Sequence, residues 1–247
     1  MVLTALRGAV GFLTRLPVGR DERAWNAFRG RTYVLPLAGY PVGLLAGLPL
    51  LTPVPTPTAA VLYVVAVYLV TGVNHADGLA DVGDAAVVHG GPEERRAAMT
   101  DTAVGVGAAL ATGIGLLGLA LAAVTLAGRP ARAALGIAVA AEVGAKLSMA
   151  TLAGLGQPSH DGLGAQLLGA TAADVAVAAV VAAPAAVLAW PSSAALAAVG
   201  AGPVVAIGFR RWARTNLGGV SGDVFGASNE LARVVGLHAG VVVWTLS

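Results

Sequence analysis

Residues 74–84 read Asn-His-Ala-Asp-Gly-Leu-Ala-Asp-Val-Gly-Asp, which sets three carboxylates, Asp77, Asp81 and Asp84, at i, i+4 and i+7. On a helix those positions share one face. Carboxylates held this close repel one another, and the repulsion is costliest beside an apolar phase, so the pattern calls for a cation among them. The expected ligand is a divalent metal. His75, two residues ahead of Asp77, is a candidate ligand, a proton acceptor or a donor that orients one of the acids, set against the plain reading of a residue at a helix end. Asp101 is a candidate fourth ligand, or else a carboxylate placed against the positive end of the helix that follows it. Arg95 and Arg96 can grip phosphate oxygens or simply mark the cytoplasmic side of a membrane.

A second group lies in the glycine-rich segment from Gly218 to Glu230. Gly219 and Gly222 let a backbone turn and present N–H groups to an anion, and Asp223 and Glu230 point the same way if a helix starts at Asp223. Together with the acidic run, this segment reads as a cation-bridged phosphate site. A third group is Glu142 and Lys146, one helical turn apart in an apolar stretch, readable either as a buried salt bridge or as part of the site. Tyr, Trp and Met are too scattered in sequence to suggest an aromatic cage, no Ser-His-Asp spacing suggests hydrolysis, and the glycine-rich stretches lack the Lys-Ser/Thr ending of a P-loop.

The elements that must position these residues are membrane helices. Of 247 residues 57% are apolar and only 11% charged, and the mean hydropathy is +0.79, so the composition is that of an all-α, polytopic integral membrane bundle. Absence of cysteine excludes disulfides and thiolate metal sites and leaves oxygen and imidazole ligands, suited to a hard cation such as Mg²⁺. A net charge of +2, with Lys146 the only lysine, gives no reason to expect a nucleic-acid partner.

Spans are expected at 34–52, 59–73, 103–127, 133–153, 174–190, 194–209 and 231–246, giving six or seven crossings within one domain over 1–247. Small residues at four-residue spacing, as in Gly39, Gly43 and Gly47, permit close helix packing, and Pro184 and Pro203 are expected to kink or break their spans. The apolar start of the chain is interrupted by Arg7 and Gly8 and reads as a helix lying at the membrane surface rather than a signal peptide. With segments 1–33, 74–102, 154–173 and 210–230 on the cytoplasmic side, the arginines fall almost entirely there, including Arg7, Arg15, Arg20, Arg95, Arg96, Arg210 and Arg214, and only Arg129 and Arg132 lie opposite. That asymmetry fixes the orientation and gathers the acids on one face. His160-Asp161-Gly162-Leu163 faintly echoes His75-Ala76-Asp77-Gly78-Leu79, and no repeat of fixed period is present.

These residues carry a resemblance. Phe12-Leu13-Thr14-Arg15-Leu16-Pro17-Val18, Tyr33 to Gly43, the run from His75 to Asp84, Met99-Thr100-Asp101-Thr102-Ala103-Val104-Gly105 and the Gly218 to Glu230 loop, in this order and over nearly the whole chain, resemble the cobalamin synthases, also called adenosylcobinamide-GDP ribazoletransferases. Lys146 stands where arginine is common in that family, which removes a bidentate grip. The resemblance implies a cell-membrane enzyme with its site facing the cytoplasm. It implies that adenosylcobinamide-GDP is joined to α-ribazole or its 5′-phosphate, yielding adenosylcobalamin or its phosphate and releasing GMP with Mg²⁺. Asp77, Asp81, Asp84 and Asp101 then hold the metal, His75 or one of the acids accepts the hydroxyl proton, and Arg95, Arg96 or Lys146 steadies the leaving phosphate. Gly219, Gly222, Asp223 and Glu230 belong to the substrate side. A CDP-alcohol phosphotransferase is a rival, but its usual Asp-Gly-x-x-Ala-Arg signature is missing from Asp77-Gly78-Leu79-Ala80-Asp81. A cation transporter is another, yet it calls for carboxylates near the bilayer midplane.

Overall fold

The computed structural model describes residues 1–19 and 21–247, so Arg20 lies outside the described residues. In chain order the helices are α1 (Val2–Leu13), α2 (Glu22–Arg29), α3 (Leu35–Gly47), α4 (Thr56–Thr71), α5 (Asn74–Val87), α6 (Pro92–Met99), α7 (Val106–Ala127), α8 (Ala131–Leu155), α9 (Ala172–Ala182), α10 (Ala194–Asn216) and α11 (Gly222–Leu246). Among the described residues there is no strand, and the one β-type pairing is a bridge between Pro158 and Val220.

The bundle is built around α8, whose apolar window is 94% buried and which packs against α3, α10 and α11. Small side chains make that possible. A Cβ on Gly39 would come within 2.7 Å of Val143 Cα, and one on Gly43 within 2.6 Å of Val139 Cα, so the backbones of α3 and α8 touch where the glycine spacing anticipates it. On the outside the pattern inverts: Leu110, Ile114, Leu117 and Leu121 of α7 form an exposed apolar stripe, the surface expected of a helix facing lipid.

The number of spans is smaller than expected. Four helices are long and apolar enough to cross a membrane, or five if α4 and α5 count as one span, instead of six or seven. Three physical causes account for the difference. α9 ends at Ala182 and the chain passes into a 3₁₀ run, Ala183–Val187, around Pro184, so that apolar segment is short. α4 and α5 are separated by a 100° bend. α11 begins nine residues before the expected 231 and takes Asp223, Glu230 and Arg233 into its first half. Pro184 thus breaks its span as anticipated, whereas Pro203 sits inside the unbroken α10.

The bend lays α5 across the starts of two other helices. Asp84 accepts hydrogen bonds from the N–H groups of Gly105 and Ala108 at the head of α7, both at 2.9 Å. Gly78 lies so close to α11 that a Cβ would stand 2.8 Å from Asp223 Cα. The connection after α8 joins the same end: Val220 N–H donates to the Gln157 carbonyl at 2.7 Å and Ser159 N–H to the Val220 carbonyl at 3.2 Å. So does the N-terminal hairpin α1–α2, whose Trp25 Nε1 donates to Gln166 Oε1 at 3.2 Å. α7 starts at this end and runs to the other, where Arg129 follows it and Arg132 lies in the first turn of α8.

Candidate functional site

α5 is the 14-residue helix that the acidic run calls for, and Asp77, Asp81 and Asp84 do share one side of it. Asp223, in the first turn of α11, joins them, because the absence of a side chain at Gly78 lets the two helices meet. Burial, followed by the neighbouring charges of Asp77, Asp223 and Asp84, raises Asp81 from 3.8 to about 6. Asp223 is raised as well, again chiefly by burial, with Asp77 contributing. No cationic side chain forms an ion pair with any of the four among the described residues. This end of the bundle therefore holds negative charge that no ion pair among the described residues compensates. No three His, Asp or Glu side chains among the described residues form a ready-made metal cage.

The other expected site residues divide sharply. Asp84 has each carboxylate oxygen engaged by an N–H of α7, so it performs for that helix the capping role that the sequence offers to Asp101. Asp101 itself is exposed and, among the described residues, accepts only from the N–H of Ala103, two residues on, at 3.0 Å. Arg95 closes the C-terminal end of α5, donating to the carbonyls of Ala85 at 2.7 Å, Ala86 at 3.2 Å and Gly90 at 3.2 Å. Arg96 instead reaches the Leu217 carbonyl at 2.9 Å and lines a cavity of about 240 Å³ with Ser159, His160, Ser221 and Asp223. A second cavity, about 260 Å³, lies on the other side of Asp223 and is bounded by Asn74, His75, Asp77, Gly164 and Gly222. Asp223 is common to both.

His75 borders this second cavity with its Nδ1 buried and unpartnered. Burial lowers it from 6.5 to about 3, so it is neutral at physiological pH and a poor base. Gly219 packs against the connection after α8, where a Cβ would lie 2.6 Å from the Gln157 carbonyl oxygen, and its φ of +157° adds a second reason for glycine. Gly222 opens α11, with Ser221 capping it by accepting the Val224 N–H at 3.3 Å.

Lys146 and Glu230 sit deeper, in a closed buried network. Lys146 donates to Glu142 at 3.2 Å and to Asn229 Oδ1 at 2.7 Å, Asn229 Nδ2 donates to Glu230 Oε1 at 3.2 Å, and Tyr68 OH donates to Glu230 Oε2 at 3.4 Å. Arg233 bridges Glu142 and Glu230. Two anions and two cations balance, and the Glu142–Lys146 salt bridge, one of the two readings open in the sequence, is present. Sequence reasoning missed Arg233 as a partner of Glu142, 91 positions away. It also missed His160, present only as a faint echo, and the packing of Phe12, Trp25 and Phe28 into one aromatic cluster with centroids 5.1–5.9 Å apart.

Comparison with known proteins agrees with the motifs. A sequence model described as cobalamin-5-phosphate synthase matches residues 5–241. Proteins named adenosylcobinamide-GDP ribazoletransferase are similar along their whole length: one from Halorubrum lacusprofundi is 51% identical, covering 99% of both chains. Another from Haloquadratum walsbyi is 43% identical, covering 100% of both, and one from Methanocella arvoryzae is 35% identical, covering 98% of this chain and 97% of its own. No solved structure matches the chain. On the strength of the acidic helix, the late glycine–aspartate segment and these matches, the chain belongs to the cobalamin-5-phosphate synthase family.

Proposed function

We propose that this protein joins adenosylcobinamide-GDP to α-ribazole or its 5′-phosphate, at a site made by α5, the first turn of α11 and the connection after α8. The reaction forms a bond between a ribose hydroxyl and the phosphorus attached to cobinamide, and GMP leaves. The observation that carries this reading is the uncompensated group of Asp77, Asp81, Asp84 and Asp223 beside two cavities that share Asp223 as a wall.

The donor set fits Mg²⁺, because all four groups are hard oxygens whose mutual repulsion a cation relieves. Mg²⁺ is commonly held by one or two carboxylates together with substrate phosphate oxygens, so the lack of a complete protein cage agrees with binding alongside a diphosphate. Asp77 and Asp81 are the residues that would hold it, with Asp84 adding charge from its capping position. When bound, Mg²⁺ supplies neutralisation of the diphosphate charge. Arg96 is placed to steady the departing phosphate from its cavity, and the N–H groups at the start of α11 add a partial positive charge. Asp223, with its affinity for protons raised by burial, is suited to accept the hydroxyl proton. His75, neutral and half-buried, is suited to orient a substrate group rather than to take the proton. Lys146 and Glu230 fix α11 from within.

The distribution of arginine about the bundle supports a multi-pass protein of the cell membrane with this end cytoplasmic. Mass spectrometry of products from purified protein in lipid tests the reaction. Adenosylcobinamide-GDP should be consumed only when α-ribazole or its phosphate is added, with GMP released in equal amount. GMP release without the acceptor would instead mark a hydrolase. CMP release from CDP-diacylglycerol would mark a phosphotransferase, and uptake of a divalent cation by liposomes without turnover would mark a transporter.

A further inference from the structure

The N-terminal hairpin holds a cavity that the phosphoryl-transfer chemistry leaves unused. It measures about 290 Å³ and is lined by Gly8, Gly11, Phe12, Gly19, Ala24, Trp25 and Asn74. Phe12 and Asn74 also wall the cavity that contains Asp77 and Asp223, so the two spaces adjoin through that pair. Phe12 is 36% exposed although its ring packs at 5.1 Å from Trp25, and Trp25 is itself only partly buried. Phe28, fully buried, supports both rings from behind at 5.9 and 5.7 Å. Gly19 has open space beside it, whereas Gly8 serves to bring the backbones of α1 and α2 together, too close to Ala24 for any side chain; Asn74 offers an amide donor and acceptor at the boundary with the acids. The hairpin is pinned to the site by the hydrogen bond from Trp25 to Gln166.

We propose that this hairpin seats a planar heteroaromatic base carried on a ribose, with the ring lying against Trp25 and Phe12 and the ribose directed past Asn74 towards Asp77 and Asp223. The volume is at the small end of ligand sites, roughly 300 Å³, which suits a base and part of its sugar and excludes a corrinoid. Stacking on aromatic side chains recognises any such ring by its π-face. This inference rests on the proposed reaction, in which two substrates carry such a ring: the base of the ribazole acceptor and the guanine of the donor.

Steady-state kinetics of the full chain in lipid, varying each substrate in turn, tests it. Trp25→Leu should raise the KM of one ribosyl substrate about tenfold or more, with a much smaller fall in kcat, and Trp25→Phe should restore most of the loss. A raised KM for α-ribazole assigns the seat to the acceptor's base; a raised KM for adenosylcobinamide-GDP assigns it to guanine. A chain carrying Trp190→Phe, Trp212→Phe and Trp244→Phe reports Trp25 fluorescence alone. α-Ribazole or GMP should quench it saturably, and ribose 5-phosphate should not. Unchanged KM values in folded Trp25→Leu, or equal quenching by ribose 5-phosphate, would overturn the proposal. If Trp25→Leu fails to fold, the quenching result decides. Loss of the catalytic reading shows separately, as turnover that survives removal of Asp81.

Discussion

Two turns of α11 separate two very different groups of charge. Asp223, in the first turn, faces Asp77, Asp81 and Asp84, and among the described residues no cationic side chain is paired to any of them. Glu230 and Arg233, deeper in the bundle, form with Glu142 and Lys146 a group that is neutral as a whole, buried and hydrogen-bonded. Burying a charge is tolerable only with a partner. The deeper group has its partners built in, and so reads as structure. The acids at the end of the bundle lack theirs, and so read as a place where charge arrives with the substrate. Buried charge in a membrane bundle is thus not by itself a mark of chemistry; like charge gathered at its end, partly exposed and unpaired among the described residues, is.

The comparison breaks first in the network. Arg233→Met leaves Glu230 without a cation and Glu142 with Lys146 alone, and should destabilise the protein by about 3–5 kcal/mol, read as loss of folded, monodisperse protein in detergent. Glu142→Gln combined with Lys146→Met should cost less than either single change. A double-mutant cycle with no interaction energy would show that the pair does not act as one.

At the bundle end the expected effects fall on turnover instead. Asp223→Asn should lower kcat by about 10²-fold or more, the usual contribution of a positioned proton acceptor, while the protein remains as stable as wild type. Asp84→Asn should differ from both groups. Its hydrogen bonds to Gly105 and Ala108 hold the head of α7, so the change should cost about 1 kcal/mol of stability through a weakened cap as well as some turnover.

The smallest expected effect is in pH dependence. Asp81 sits near 6 in the folded protein against an ordinary 3.8, so its contribution to stability is greatest below about pH 4 and is lost as pH rises through about 6. A divalent cation favours the ionised form. The Mg²⁺ concentration needed for half-maximal turnover should therefore rise as pH falls below about 6, and this dependence should flatten in Asp81→Asn. A profile between about pH 5 and about pH 8 that is the same in both proteins would remove Asp81 from cation binding.

How much of this was legible in the chain depended on the range of the interaction. Spacing along one helix gave the acidic face of α5 and the Glu142–Lys146 bridge, because both are set by residues four or seven apart. The glycine spacing of α3 gave its close approach to α8 for the same reason. What spacing could not give was the partner in another helix. Arg233 looks like a topology charge until α11 packs on α8, and Asp101 looks like the cap of α7 until the bend after α4 brings Asp84 there instead. Phe12, Trp25 and Phe28 belong to two helices whose packing gathers them. The span count failed where hydropathy hid a break: α9 ends at Ala182, and α11 draws charged residues into its first half.

The central claim is that the unbalanced acids of α5 are where cation and diphosphate meet, and the Mg²⁺ dependence of GMP release in lipid, compared between wild type and Asp81→Asn, tests it most directly. The account predicts that Asp81→Asn folds at least as well as wild type, loses about 10²-fold or more of its turnover and responds only weakly to Mg²⁺. Turnover close to wild type at limiting Mg²⁺, in a folded Asp81→Asn protein, would contradict it.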